Sequence, residues 1–326
     1  MSYNQPLQGS FTSTGSSVTL SLPSGVDWLR VVNYTQAAAT NNGYGVEYYW
    51  QRNMPAGYGT MWYHPAGDHT IAVNNVASIF DVIDSSVVTP GAATALTGIS
   101  ADATPVVSTA DTTGLADGDV VRLYDCTGAE QLGGIEFTVG NVVTNTSFEL
   151  AYMSQIVAAA TPGTGAVWRK IPYDTLFAPR TRYITKIDET TNTVTFSAAH
   201  AYSAGEKVRF TVPRVSALAY GMTELDGVVA TVVSATTSTI TIDIDLSTYT
   251  TFKFPLTGDA DPSYTPAMVS PVGEDGAGII SYSGTTLSDA VLNTGVIGIK
   301  LLGGTTGPAG NSSDVIYWTA GTSFNI

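Results

Sequence analysis

Few stretches of this chain bring together side chains of the kinds that reactions or metal ions require. His64-Pro-Ala-Gly-Asp68-His69 places two imidazoles near a carboxylate, a donor set able to ligate a divalent cation. Its spacing fits no helix face, and the intervening Pro-Ala-Gly reads as a turn. The weightier expectation is a polar loop whose His and Asp groups cap the backbone. Asp243 and Asp245 alternate, so both point to one side of a strand. Paired carboxylates can drive glycoside hydrolysis or bind calcium, but two solvent-facing aspartates are the commoner outcome in an acidic β protein. Asp117-Gly-Asp119, Asp259-Ala-Asp261 and Glu274-Asp275 read as turn residues, none followed by the glycine and distal glutamate of an EF-hand loop. No nucleophile elbow, phosphate-binding glycine loop, zincin helix or dinucleotide fingerprint occurs. The expectation is a protein that is not an enzyme, with no catalytic, cofactor-binding or metal-ligating residues.

The densest feature is aromatic: Tyr44, Tyr48, Tyr49, Trp50, Tyr58, Trp62 and Tyr63. Such rings stack on sugars or anchor protein interfaces. Alternate residues of a strand face inward, so about half of the cluster serves the core. Tyr49, Trp50, Tyr58, Trp62 and Tyr63, beside the flexible Gly57-Tyr58-Gly59, are the expected interface residues.

The elements that must position these groups are organised around a degenerate repeat, Ile99–Leu150 and Ile184–Asp243. Gly118 and Arg122 recur as Gly205 and Arg209 at one offset. Leu132, Gly134 and Val139 recur as Leu225, Gly227 and Val232 at another, longer by a six-residue insertion in the second copy. A repeat strict in punctuation and loose in side chains specifies a backbone plan and no shared catalytic apparatus. Each copy opens with an alternating run (Pro105–Thr109; Thr193–Ser197), then a glycine turn, a second strand (Asp119–Tyr124; Glu206–Val212) and a third after Gly134 or Gly227. Tight turns at Thr144-Asn145-Thr146 and Thr237-Ser238-Thr239 lead to a fourth strand (Phe148–Leu150; Ile240–Ile244). With no room for a crossover helix, each copy should close as a small antiparallel barrel or sandwich.

This pattern resembles the small β-barrel module of many tailed-phage virion proteins, often labelled after the first catalytic-cysteine half-domain (FCCH) of ubiquitin-activating enzymes. Gly118-Asp119-Val120-Val121, Phe137-Thr138-Val139 and Asn145–Leu150 carry the likeness in the first copy. His200-Ala-Tyr202, Gly205-Glu-Lys-Val208 and Met222–Gly227 carry it in the second. The resemblance covers roughly the middle half of the chain. It implies a fold and no chemistry, because the module does not supply the reactive cysteine; Cys126 receives no role. It also implies a structural hydrogen bond for His200.

The 326 residues suffice for two or three domains. Hydrophobic residues at 44% against 12% charged argue for packed cores and against disorder. The formal net charge of −14, with no Lys/Arg cluster, argues against direct nucleic-acid binding. One cysteine excludes an internal disulfide. No stretch approaches the roughly 18–20 apolar residues of a membrane span, and the N-terminus does not read as a secretory signal.

Strands are expected at Ser16–Leu22, Asp27–Tyr34, Val46–Arg52, Ala277–Ser281, Gly295–Leu302 and Asp314–Trp318, with Ile71–Val82 ambiguous between helix and strand. Thr35–Gly45 and Gly303–Gly310 read as loops, and Trp168 as part of the last strand of the first barrel. The expected fold is all-β: two small barrels inserted in a β-sandwich-like domain built from both chain ends. The boundaries are 1–95 plus 263–326 for the terminal domain, 96–172 for the first barrel and 183–258 for the second. The absence of any long amphipathic helix disfavours a portal or a major capsid protein. The functional expectation is a structural protein of a tailed-phage virion, made in the bacterial host cytoplasm and homo-oligomeric. Its partners would be other virion proteins of the tail, neck or capsid, and no membrane. The tail or neck is favoured, a capsid-surface decoration protein comes next, and a glycan-binding adsorption module is the alternative from a different class.

Overall fold

The computed structural model describes residues 6–38, 44–64, 72–84, 91–124, 126, 129–153, 166–171, 180–212, 221–255, 266–274 and 296–322. Asp68, His69, Asp259, Asp261, Asp275, the stretch 277–281 and the glycine-rich 162–165 lie outside them.

Both chain ends contribute to one sandwich. Its N-terminal strands are β1 (Leu7–Thr14), β2 (Val18–Pro23), β3 (Trp28–Asn33), β4 (Gly45–Gln51), β5 (Gly59–Tyr63), β6 (Ala72–Val76) and β7 (Phe80–Asp84). The barrels follow: β8 (Thr94–Ile99), β9 (Val106–Thr109), β10 (Val120–Tyr124), β11 (Glu136–Val143), β12 (Ser147–Leu150) and β13 (Val167–Lys170) form the first. The second comprises β14 (Arg182–Asp188), β15 (Thr193–Phe196), β16 (Lys207–Thr211), β17 (Val229–Ala235), β18 (Thr239–Ile242) and β19 (Met268–Pro271). The chain returns to the sandwich with β20 (Val296–Leu301) and β21 (Ser312–Gly321). A six-stranded sheet in the order β1-β21-β3-β4-β5-β6 faces a three-stranded sheet, β2-β20-β7. Leu20, Leu29, Trp50, Phe80, Ile299 and Trp318 pack between them.

Several local expectations resolve here. The ambiguous 71–82 stretch covers β6 and the start of β7, which join different sheets. The 35–45 loop opens with one helical turn, Tyr34–Ala37, whose Gln36 amide is capped by Asn33. β1 was not expected, because LQGSFTST reads as polar and small. It forms because β21 offers a full ladder, and Gly9 leaves room for the Trp318 ring.

The barrels share one topology: β8-β9-β12-β11-β10-β13 in the first and β14-β15-β18-β17-β16-β19 in the second, each closed. Arg122 pairs with Glu136 in register as Arg209 does with Val229, and Val121 with Phe137 as Val208 does with Ala230. The glycine turns are equally conserved in geometry. Gly118 and Gly205, at φ +90 and +85, donate to Val139 and Val232 carbonyls, both at 2.8 Å. Trp168 lies in the closing strand β13, as expected.

The second barrel's closing strand falls at Met268–Pro271, beyond the 258 boundary and inside the stretch expected to belong to the terminal domain. The physical reason is a detour: after β18, Leu246 and Phe252 return to the barrel core before the chain closes the ring.

Contacts at two seams join the parts, barrel to barrel and second barrel to sandwich. Tyr183 and Met268 of the second barrel enter the first barrel's hydrophobic cluster. Thr138 donates its amide to Ser197 (3.2 Å) and accepts from the Ala199 amide at its hydroxyl (2.8 Å). The second barrel also abuts β1, where Gly273, at φ +94, presses against the Gln8 carbonyl with no space for a side chain. We expect Gly273→Ala to cost at least about 2 kcal/mol in urea unfolding. Gly118→Ala, with a similar φ but open space around it, should cost only about 1 kcal/mol.

Candidate functional site

The outward face of the six-stranded sheet displays side chains in two rows fixed by strand register. One row runs Ser10, Tyr317, Val32, Glu47, Trp62, Val73. The next runs Gln8, Thr319, Arg30, Tyr49, Thr60, Asn75. Trp28 extends the aromatic content, its ring lying over Gly321. Tyr317 is 50% exposed and meets Tyr34 edge-on at 5.9 Å. Arg30 and Glu47 are joined twice, at 2.7 and 2.8 Å. The bond to Glu47 raises the Arg30 pKa, partly offset by desolvation. Beyond Tyr49 the face ends in a cleft of about 320 Å³ lined by Met54, Pro55, Tyr58, Gly59, Thr60 and Asn75.

The expected interface residues divide by the phase of the strand. Tyr49 and Trp62 lie on this face, and Tyr58, 42% exposed, walls the cleft. Trp50 does not belong to it: only 3% exposed, it sits in the core opposite Leu29. Tyr63 also leans on the core, one residue out of phase with Trp62. Tyr48, flanking Tyr49 on the other side, is buried too. Strand alternation was legible, but its phase depends on which neighbours the strand meets.

A second constellation escaped the sequence reading. Glu274, expected as a turn residue, has a side chain only 2% exposed and binds Arg180 at 2.6 Å. Arg180 also binds Glu206 at 2.5 Å, both buried, and its guanidinium lies 5.8 Å from the Tyr202 ring centre. Tyr202 donates to the carbonyls of Arg180 and Val269, the latter at 3.0 Å. The other Glu274 oxygen accepts the Ser21 amide of β2 at 3.3 Å, so the cluster bridges the second barrel and the sandwich. Burial opposes the Arg180 charge, yet Glu206 and Glu274 outweigh it and hold the guanidinium above its ordinary range. Burial raises both carboxyls against the pull of Arg180, and Glu274, also facing Glu206, is pushed up to about 7. One cation serves two acids. The signal available beforehand was the Glu206 position itself, equivalent in the repeat to Asp119, which caps the same turn.

The remaining expected groups serve the backbone. His200 accepts the Tyr202 amide at Nδ1 (3.1 Å) and donates from Nε2 to the Thr239 carbonyl (3.1 Å), a neutral tautomer. Burial lowers its pKa to about 4 against the Thr239 bond, with Arg182 and Arg180 adding to the fall. Asp243 accepts the Thr231 amide and Asp245 the Ser247 amide, both exposed to solvent. Asp117 accepts from Val142, and Asp119 pairs with Lys170 at 2.7 Å. Of the His64 cluster only His64 is described. Among the described residues, no group of three or more His, Cys, Asp and Glu is placed to hold a metal ion.

No protein-family model matches the chain. No curated protein matches it either.

Two measurements check this geometry. Trp50→Ala should cost about 3–5 kcal/mol by emptying the core, whereas Trp62→Ala on the open face should stay within about 1 kcal/mol in the same chemical unfolding assay. Glu274 releases its proton near its ordinary 4.5 when unfolded and near 7 when folded. Its contribution is therefore fully present below 4.5 and lost as pH rises through about 7. Thermal melts of Glu274→Gln should lack the part of the decline that wild type shows between pH 5 and 8 (roughly the window set by that shift).

Proposed function

We propose that this chain is a structural protein of a tailed-phage virion, placed in the tail or neck and assembled by symmetric protein–protein contacts. The observation that carries the reading is the pair of barrels built to one register, each opening its β10 or β16 strand with the glycine-acid turn of the FCCH-like pattern. The barrels meet each other, the second also meets the sandwich, and both barrel interiors are filled with apolar side chains. In a ring, a modest interface repeated by symmetry yields high avidity. The strongly acidic composition favours protein partners over nucleic acid. A capsid-surface decoration protein would use the same construction, so the location on the particle is the quantity to measure.

Mass spectrometry on purified particles of the encoding phage, dissociated stepwise into heads and tails, tests this directly. The chain is expected at fixed stoichiometry in the tail or neck fraction. Recovery with the capsid shells would move it to the decoration role, and absence from washed particles would end the virion reading.

A further inference from the structure

We propose that the outward face of the six-stranded sheet binds an uncharged polysaccharide, with the chain lying along the aromatic rows and one end entering the Tyr58 cleft. This goes beyond the structural role and does not depend on it.

The two rows combine aromatic rings (Tyr317, Trp62, Tyr49) with short hydroxyl and amide groups (Thr319, Thr60, Asn75). The C–H faces of a sugar stack on such rings, and its hydroxyls require neutral donors and acceptors nearby. Strands lie about 4.8 Å apart, so Tyr317 on β21 and Trp62 on β5, three strands away, stand about 14 Å apart with Tyr49 between them. That reach suits an extended chain of several sugar units. The cleft beyond, at about 320 Å³, has room for a terminal residue against the Tyr58 ring.

Charge selects among occupants. The chain carries −14 overall, yet the only charged groups in these two rows are Arg30 and Glu47, bound to each other at 2.7 and 2.8 Å. A neutral face matches a neutral polymer. A nucleic acid would also stack on the rings, but its phosphates need cations and the one guanidinium here is already engaged. A protein partner would use the same rings, and a change of elution volume in the ring variants is the outcome that would reveal one.

The test titrates the intact protein with dextran, galactomannan and chito-oligosaccharides as neutral probes. Hyaluronan and polygalacturonate are the anionic arms, with tryptophan fluorescence and calorimetry as readouts. Saturable binding to at least one neutral probe is expected, with Tyr49→Ala and Trp62→Ala each weakening it about tenfold. Melting temperature and elution volume should stay those of wild type. Should the Trp62 or Tyr49 variant fail to fold, Tyr317→Ala, on a different strand and half-exposed, must show the same loss. The proposal is overturned by no binding to any neutral probe, by preference for the anionic polymers, or by wild-type affinity in folded variants. A variant that elutes as a smaller species would assign the face to a second copy of the chain and overturn it equally.

Discussion

Backbone amides at the margins of a β-sheet must find acceptors, and an all-β chain has to dispose of every such margin or leave it as a template for aggregation. The two barrels solve this by closing on themselves. The sandwich cannot, and its solution governs the rest of the molecule. β1 and β2 are outer strands of their two sheets, and the second barrel is docked against both. Gly273 seats against the Gln8 carbonyl of β1, and one residue later Glu274 takes the Ser21 amide of β2. A carboxylate that caps a strand margin must itself be held in place, and Arg180 holds it while answering to Glu206 from the barrel. The margin of the sandwich and the barrel's acid turn thus share one buried guanidinium.

The same economy appears at the other seam. In the first barrel Arg122 and Glu136 form a buried pair; burial lowers the Arg122 pKa, opposed by Tyr183 of the neighbouring barrel and by Tyr124. At the equivalent register in the second barrel stand Arg209 and Val229, both exposed. Two modules of one backbone plan therefore differ in where they bury charge, and each buries it where it meets the next body. Buried ion pairs add little net stability against apolar packing, but removing one partner is costly. Both sets are made inside their own barrel, Arg122 on β10 with Glu136 on β11 and Arg180 with Glu206 and Glu274 in the second, so docking supplies what covers them: Tyr183 beside the first and the Ser21 amide on the second.

What the sequence made legible was periodic and local. Glycines at positive φ, Thr/Asn turns and alternating Val/Thr runs depend on near neighbours, so both barrels could be read from them; the pairing of the chain ends follows instead from two end regions too poor in strands to stand alone. What stayed hidden depended on partners distant in sequence. β1 has an unremarkable composition and becomes a strand through β21, some 300 residues away. Trp50 and Tyr49 differ only in phase, and phase is set by Leu29 and Arg30 across the ladder. Glu274 sits in a Val-Gly-Glu-Asp-Gly run that looks like any solvated turn until Arg180 arrives.

These placements also separate the tasks of the sheet. Its β1 margin is committed to the second barrel, while the cleft formed by Tyr58, Thr60 and Asn75 lies at β5 and β6 on the opposite side. Five strand spacings of about 4.8 Å put roughly 24 Å between the two margins. Glu274 belongs to the first margin, and charge effects at that range are largely screened in physiological salt. Strain or titration at the seam therefore acts on how the bodies hold together and leaves the aromatic rows as they are. The rows gain rigidity from the ladders beneath them, since the β3, β4 and β5 residues that present Arg30, Tyr49 and Trp62 alternate with core residues Leu29, Trp50 and Met61. A face whose every second residue is locked in a core can hold its rings ready without paying to order them at each encounter.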